Sequence, residues 1–214
     1  MLQHPYAPAD TEPMDHGNIN DDDDFLPDSD SKYRPGTKKS VSEYLALDSE
    51  DPSLAAWKAS LLGNSSSLED SDPTSPENTT NVTLLQLALE VAGRPDVVVD
   101  LAGLTEEQLA QTVFTIKEGV EYRIKVQFHV RTGILSGLKY LQSVRRLGVT
   151  VDRTSEMVGS YAAQREPITV RFAPEEAPAG VLARGNYEVL SQFVDDDGVV
   201  HKRFQWAFEI QKDW

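Results

Sequence analysis

The sequence predicts an all-β fold, an immunoglobulin-like antiparallel β-sandwich, preceded by a flexible N-terminal arm that forms a short helical pair on binding. Three observations carry this reading. From residue 82 onward apolar side chains recur at every second position, the spacing that puts alternate residues on one face of a strand. The runs are short, are joined by Gly-, Pro- or Asp-bearing turns, and have no long helix between them, which favours two packed sheets. Before residue 82 the chain is polar and acidic, broken only by two short stretches of helical spacing.

Residues 1–32 are rich in Pro, Asp and Asn and include the run Asp21–Asp24. Burial there cannot offset the chain entropy lost on folding, so the segment reads as a disordered acidic tail. Residues 33–63 read as a helical arm. Ser40-Val41-Ser42-Glu43 has capping-box spacing, Val41, Tyr44 and Leu45 form a short apolar stripe, and the helix is expected to fade near Leu47. Asp51-Pro52 gives the second helix an N-cap and a first-turn proline; Leu54, Trp57 and Leu61 follow at helical spacing, and Gly63 stands at the C-terminal cap. Helices this short do not persist alone in water, and the first is expected to find its cover on a partner. Residues 64–81 have the Ser/Asp/Pro composition of a linker.

The sandwich occupies 82–214. Its clearest strand is VEYRIKVQFHVR, where Val120, Tyr122, Ile124, Val126, Phe128 and Val130 alternate with polar residues. Further strands are expected at 82–90, 97–101, 113–117, 138–144, 149–154, 168–172, 187–194 and 202–210, with a helical turn at Thr105–Gln111. Phe204, Trp206, Phe208 and Ile210 alternate near the C-terminus, and with Tyr122, Phe128, Tyr187 and Phe193 they make an apolar face rich in aromatics. A sandwich needs such residues for its core, since each removes about 150–250 Å² from water.

Charge and composition narrow the function. Twenty basic against 35 acidic side chains give a net charge of −15, which repels nucleic acid and anionic lipid and favours a basic partner. Cysteine is absent, excluding disulfides, thiolate zinc sites and cysteine nucleophiles and suiting a reducing cytosol. No run is apolar enough for stable membrane insertion, and MLQHPYAPAD has neither the basic nor the apolar region of a secretory leader. The sequons at Asn64, Asn78 and Asn81 are therefore read as accidental. Catalysis finds no footing: His4 and His16 lie in the tail, His129 lies on the polar face of its strand, and His201 follows a hairpin turn. No nucleophile elbow, phosphate loop, dinucleotide glycine pattern or zinc helix motif is present, so neither enzyme activity, a metal nor a cofactor is expected. Asp195-Asp196-Asp197-Gly198 lacks the alternate acids and terminal glutamate of a calcium loop. It reads first as a hairpin turn, with partner contact by its carboxylates open beside that role.

One further layer comes from word-level matches: KEGVEYRIKVQF, SGLKYLQ, MVGSY, EEAP, LARGNY, DDDG and the terminal QKDW, in that order. Together with the arm segment YRPGTKKSVSEYLALDSEDPSLAAWKASLLG, they make the chain resemble the Rho GDP-dissociation inhibitors from Tyr33 to Trp214. The resemblance implies a regulator, not an enzyme: a cytosolic monomer that pairs one to one with a geranylgeranylated Rho-type GTPase in its GDP state, blocks nucleotide release and draws the GTPase off membranes. It implies an isoprenoid slot between splayed sheets, lined here by Leu89, Phe114, Tyr122, Ile134, Val189, Phe204 and Trp206. It implies switch-region contacts from Tyr44, Leu47 and Asp51 on the arm and acidic contacts to the GTPase body from Asp195 and Asp197. Glu175 and Glu176 match the family's contact to the basic segment before the lipid, although two glutamates in a Pro-flanked loop are by default a solvated turn. A more general prenyl-binding carrier, with a dispensable arm, stands as the alternative. Three departures from the family pattern are visible: Phe204-Gln205-Trp206 replaces Trp-x-Trp, Ala162-Ala163 replaces Gly-Pro, and Asn186 replaces a serine found in some relatives.

Overall fold

The structure, a computed structural model, describes Phe25, Glu43, Ala46, Leu47 and residues 50–62 and 81–214. The chain divides into two units, Met1–Ser31 and Lys32–Trp214; Phe25 is the described residue of the first. The expected acidic tail, the Ser40 capping box, Tyr44, the Gly63 cap and the linker before Asn81 lie outside the described residues.

The second arm helix forms as its sequence dictates. Asp51 Oδ1 accepts from the Ser53 and Leu54 amides at 2.8 and 3.2 Å, satisfying donors that the first turn cannot pair internally. Helix α1 then runs Pro52–Leu62. Leu54 and Trp57 on it are 41% and 59% exposed. Upstream, the Leu47 amide donates to Glu43 O at 3.2 Å, one helical turn at the place where the first helix was expected to fade. Lys58 Nζ reaches the Leu47 carbonyl.

Downstream the described chain forms β1 (Asn81–Val91), β2 (Val97–Asp100), helix α2 (Glu106–Ala110), β3 (Val113–Lys117), β4 (Glu121–Thr132), β5 (Ile134–Arg146), β6 (Val149–Ala162), β7 (Ile168–Arg171), β8 (Glu175–Glu176), β9 (Gly185–Val194) and β10 (Val200–Gln211). One sheet has the order β2-β1-β4-β7, with β8 also on β4; the other has β3-β10-β9-β5-β6. Leu87, Val126, Phe128, Val130, Leu135 and Leu138 are at most 1% exposed between them. The all-β sandwich is thus present, with one departure from the wholly antiparallel expectation: β3 pairs with β10 in parallel, Phe114 opposite Phe208. The chain leaves β3 at the end where β4 begins and β10 finishes, so β3 and β10 run the same way. The helical turn at 105–111 is α2, closed by a reciprocal capping box between Thr105 and Gln108.

β5 and β6 are longer than the expected strands. Register shifts between Leu135 and Leu138 hide the start of β5 from a period-two reading. β6 closes the edge of its sheet and is exposed over most of its length, Val151 at 53% and Met157 at 59%. With Val158 its one fully buried apolar side chain, β6 has almost no core face to write an alternation into its sequence.

Candidate functional site

The aromatic face predicted at the C-terminus lies between the sheets. Trp206 and Val189 are opposed across the β9–β10 ladder, as are Phe208 and Tyr187. The Phe114 ring, from β3, is tilted against Trp206 at 5.0 Å between centroids. Phe208 stacks on Tyr187 at 4.8 Å and 6° and sits 6.0 Å from Trp206. Phe114, Val189, Phe204 and Trp206 are 2–4% exposed, so these walls are closed on one another.

The facing sheet contributes Leu89, 2% exposed and paired with Ile124, and Tyr122 at the start of β4. Tyr122 is half-buried, and its hydroxyl donates to Glu175 Oε2 at 2.7 Å. Burial first, and the Glu175 hydrogen bond second, hold its pKa well above the usual phenol range. Glu175 and Glu176 are seated by β8, which pairs with Glu121 and Tyr122; Glu176 is exposed. One wall residue of the predicted slot therefore fixes one of the two predicted acidic contacts.

Ile134 stands apart from the other predicted lining residues. It opens β5, whose far end holds Val144 opposite Val189, roughly 30 Å away at about 3.3 Å per residue. The Asp196 amide donates to Ser136 O at 3.1 Å, which places Ile134 at the end of the sandwich that carries the acidic turn.

Within that turn the aspartates differ. Asp195 is 5% exposed: its Oδ1 accepts from the Val199 amide at 2.9 Å, and its Oδ2 lies 2.9 Å from His201 Nε2. This carboxylate holds its own hairpin. Asp197 is exposed, and Asp196 lies 3.5 Å from Lys139 Nζ. On the arm, Leu47 is 38% exposed. Both cap bonds of Asp51 converge on Oδ1, so Oδ2 takes no part in the cap.

Sequence reasoning missed a polar chain inside the apolar space. Trp206 Nε1 donates to Ser191 Oγ at 2.9 Å, Ser191 Oγ is 2.8 Å from Tyr140 Oη, and Tyr140 Oη donates to Gln142 Oε1 at 2.7 Å. An indole N–H only donates and an amide oxygen only accepts, so the chain runs one way, from Trp206 through Ser191 and Tyr140 to Gln142. All four residues are at most 6% exposed. The signal was present in the sequence, because Gln142 and Ser191 sit at core-facing positions of otherwise apolar alternations. Tyr140 also stacks on Phe172 at 5.1 Å, and burial pushes its hydroxyl pKa up. Among the described residues no group of His, Asp or Glu has the arrangement of a metal site, and no helix is long and apolar enough to cross a membrane.

The geometry thus pairs an aromatic inter-sheet space, filled by its own side chains, with acidic groups at both of its ends and a capped helix upstream. The family model described as "RHO protein GDP dissociation inhibitor" matches residues 18–213, which include the arm helix as well as the sandwich. The Rho GDP-dissociation inhibitor of Schizosaccharomyces pombe is 46% identical over 180 residues, covering 84% of this chain and 85% of that protein. Rho GDP-dissociation inhibitor 1 of Homo sapiens is 42% identical over 183 residues, 85% of this chain and 86% of that protein. The Arabidopsis thaliana protein of the same name is 36% identical over 184 residues, 86% and 74% respectively. With a match across nearly its whole length and relatives this similar, the chain belongs to the Rho GDP-dissociation inhibitor family.

Proposed function

We propose that this protein is a Rho GDP-dissociation inhibitor that binds geranylgeranylated Rho-family GTPases in the GDP state, one to one. It slows GDP release and draws the GTPase from membranes into a cytosolic complex. The observation that carries this reading is the extent of the family match, 18–213: it takes in arm and sandwich together, as a nucleotide-exchange inhibitor needs and a simple lipid carrier does not. The general prenyl carrier is not favoured for that reason. The role is regulatory, and the residues do their work by binding.

The energetics follow from two contacts of different kinds. A C20 chain gains about 0.8 kcal/mol per buried CH₂, but bilayer and sandwich offer nearly the same apolar refuge. Entry also requires the walls around Phe114 and Trp206 to part, exchanging protein–protein contacts for protein–lipid ones, so the lipid alone gives little net preference for the protein. Discrimination comes from the arm. Asp51 caps α1 through Oδ1 and offers Oδ2 to a hydroxyl of the switch region, with Tyr44 and Leu47 packing beside it. Because arm and sandwich share one chain, the second contact is effectively intramolecular and two modest affinities multiply. Glu175 and Glu176 meet the basic segment that precedes the lipid, and Tyr122 links that contact to the slot wall. Asp197 faces the GTPase body; Asp195 serves it indirectly, by holding the turn. Ile134, from its place beside that turn, is assigned to the GTPase side and not to the lipid.

Deleting residues 1–63 tests this. The remaining chain is expected to bind a geranylgeranyl-cysteine peptide with the affinity of the full protein while failing to slow GDP release from a prenylated Rho-type GTPase. Full inhibition by the truncated chain would refute the role given to the arm; loss of peptide binding by a folded truncated chain would refute the slot.

A further inference from the structure

The polar chain from Trp206 to Gln142 crosses the floor of the inter-sheet space along one row of the sheet. Counted from the Tyr122 end, the inward positions of β9 are Tyr187, Val189, Ser191 and Phe193. Ser191 stands opposite Phe204 on β10 and Gln142 on β5. Tyr140 belongs to the row behind, opposite Phe193, but its hydroxyl reaches forward to Ser191 Oγ and Gln142 Oε1 at 2.8 and 2.7 Å. Because β10, β9 and β5 are neighbours, hydrogen bonds bind three adjacent strands together at this depth and at no other row of the aromatic face described above.

Tyr140 also spans the space from floor to roof. Its ring stacks on Phe172 at 5.1 Å and 22°, and Phe172 belongs to the facing sheet, where its amide donates to Ile124 O on β4 at 2.9 Å. Nearer the Tyr122 end, Leu89, Phe114 and Val189 have no polar atom in their side chains. An entering hydrocarbon replaces the contacts they give up. Tyr140 is different, because pushing it aside takes its hydroxyl away from Ser191 and Gln142, each at most 6% exposed, and a hydrocarbon offers no hydrogen bond in return. Behind it Phe128, Val130, Leu135, Leu138 and Phe193 are 0% exposed, so the core is sealed there.

The depth of this barrier is defined at both ends. At the Tyr122 end Glu118 braces the loop before β9, accepting from the Gly180 amide at 2.9 Å and from Arg184 Nε and Nη2 at 2.8 and 2.6 Å. β9 begins at Gly185, directly after that loop. From Gly185 to Ser191 the strand advances about 20 Å, room for an extended geranylgeranyl chain and not for one isoprene unit more.

We propose that Tyr140, pinned by Ser191 and Gln142, is the back wall of the isoprenoid slot and sets geranylgeranyl as the longest prenyl chain the slot accepts. The proposal rests on the slot reading given above and adds the chain-length limit to it. Labelled cysteine peptides carrying geranyl, farnesyl, geranylgeranyl or geranylfarnesyl groups are titrated with the full chain. Affinity is expected to rise at least about tenfold per isoprene unit through geranylgeranyl, and geranylfarnesyl is expected to bind no more tightly than geranylgeranyl. Tyr140→Leu removes the wall, while Tyr140→Phe keeps the ring and removes both of its bonds. In each, geranylfarnesyl is expected to gain about tenfold on geranylgeranyl, a ratio that a merely structural role for Tyr140 leaves unmoved. Should Tyr140→Leu fail to fold, the wild-type series and Tyr140→Phe decide. A further gain from geranylgeranyl to geranylfarnesyl in the wild type overturns the proposal, and so does an unchanged ratio in folded Tyr140→Phe, since the bonds then pin nothing. With geranylgeranyl binding intact, either result removes the back wall alone. Failure of every prenyl peptide to bind removes the slot itself, and the back wall with it.

Discussion

Ser191→Ala tests whether the polar chain between the sheets is a structural device. The substitution removes one oxygen and adds nothing, so packing is nearly preserved. What changes is hydrogen bonding: the Trp206 indole, 4% exposed, loses its acceptor at 2.9 Å, while the Tyr140 hydroxyl keeps Gln142 at 2.7 Å. One buried donor is orphaned, which costs about 1–3 kcal/mol. Tyr140→Phe breaks the same chain one link further on. It strips Gln142 Oε1 of its donor and Ser191 of its acceptor, and it is expected to cost a similar amount. Because both variants remove the shared Ser191–Tyr140 bond of 2.8 Å, the double variant is expected to lose about 1 kcal/mol less than the sum. Urea unfolding at unchanged m-value reads all three. A Ser191→Ala midpoint shift worth less than about 0.5 kcal/mol, the range of an inert surface change, or strict additivity of the pair, refutes the reasoning. Because Trp206 is also a proposed slot wall, a folded Ser191→Ala protein should bind a geranylgeranyl peptide with altered affinity.

Other perturbations separate roles that share a residue. Asp51→Asn keeps a capping oxygen and is expected to leave helicity by circular dichroism unchanged while weakening inhibition of GDP release; Asp51→Ala is expected to lose both, the cap being worth about 0.5–2 kcal/mol. Glu118 is held near pKa 2, below its ordinary 4.5, first by the Arg184 hydrogen bonds and then by the Gly180 amide. Its depressed pKa means that bracing is fully present above about 4.5 and disappears as pH falls toward about 2. The protection factor of the Gly180 amide, its exchange divided by the intrinsic rate at each pH, is expected to fall across that window, and in Glu118→Gln it should no longer change with pH. Gly137 has φ +58°, and a Cβ there meets Asp196 Oδ2 at 1.9 Å, so Gly137→Ala must displace that carboxylate from Lys139. Backbone strain of about 1–2 kcal/mol should appear in the melting temperature, with faster exchange of the Asp196 amide.

What was legible in the sequence was whatever a buried face writes into it. β4 and β10 have one face in the core, and their alternation gave their position to within a residue or two. β6 is an edge strand with little buried on either side, and its second half was invisible for that reason. The start of β5 was masked by its register shifts. The parallel pairing of β3 with β10 leaves no local trace, since register depends on where the chain enters and leaves, not on side-chain type. At the candidate site the apolar wall was readable and its polar chain was not, although Gln142 and Ser191 each interrupt an apolar alternation. A polar residue on a buried face must find a partner across the structure, and a one-dimensional pattern shows only that a partner is owed.

The same principle explains why the two aspartates of the turn looked equivalent. Asp195 and Asp197 have the same spacing signature and lie on the same side of an alternating chain, so sequence assigned them one role. The hairpin separates them. A tight turn leaves its own backbone donors in need of acceptors, and the nearest carboxylate, Asp195, is drawn in to take the Val199 amide; His201, three residues beyond Gly198, then falls within 2.9 Å of its other oxygen. Asp197 sits at the centre of the bend, which the Gly198 amide closes on Asp195 O at 3.0 Å, and is exposed. A charge run at a turn therefore divides its labour by geometry: the first acid builds the loop from inside, and a later one stays on its exposed side.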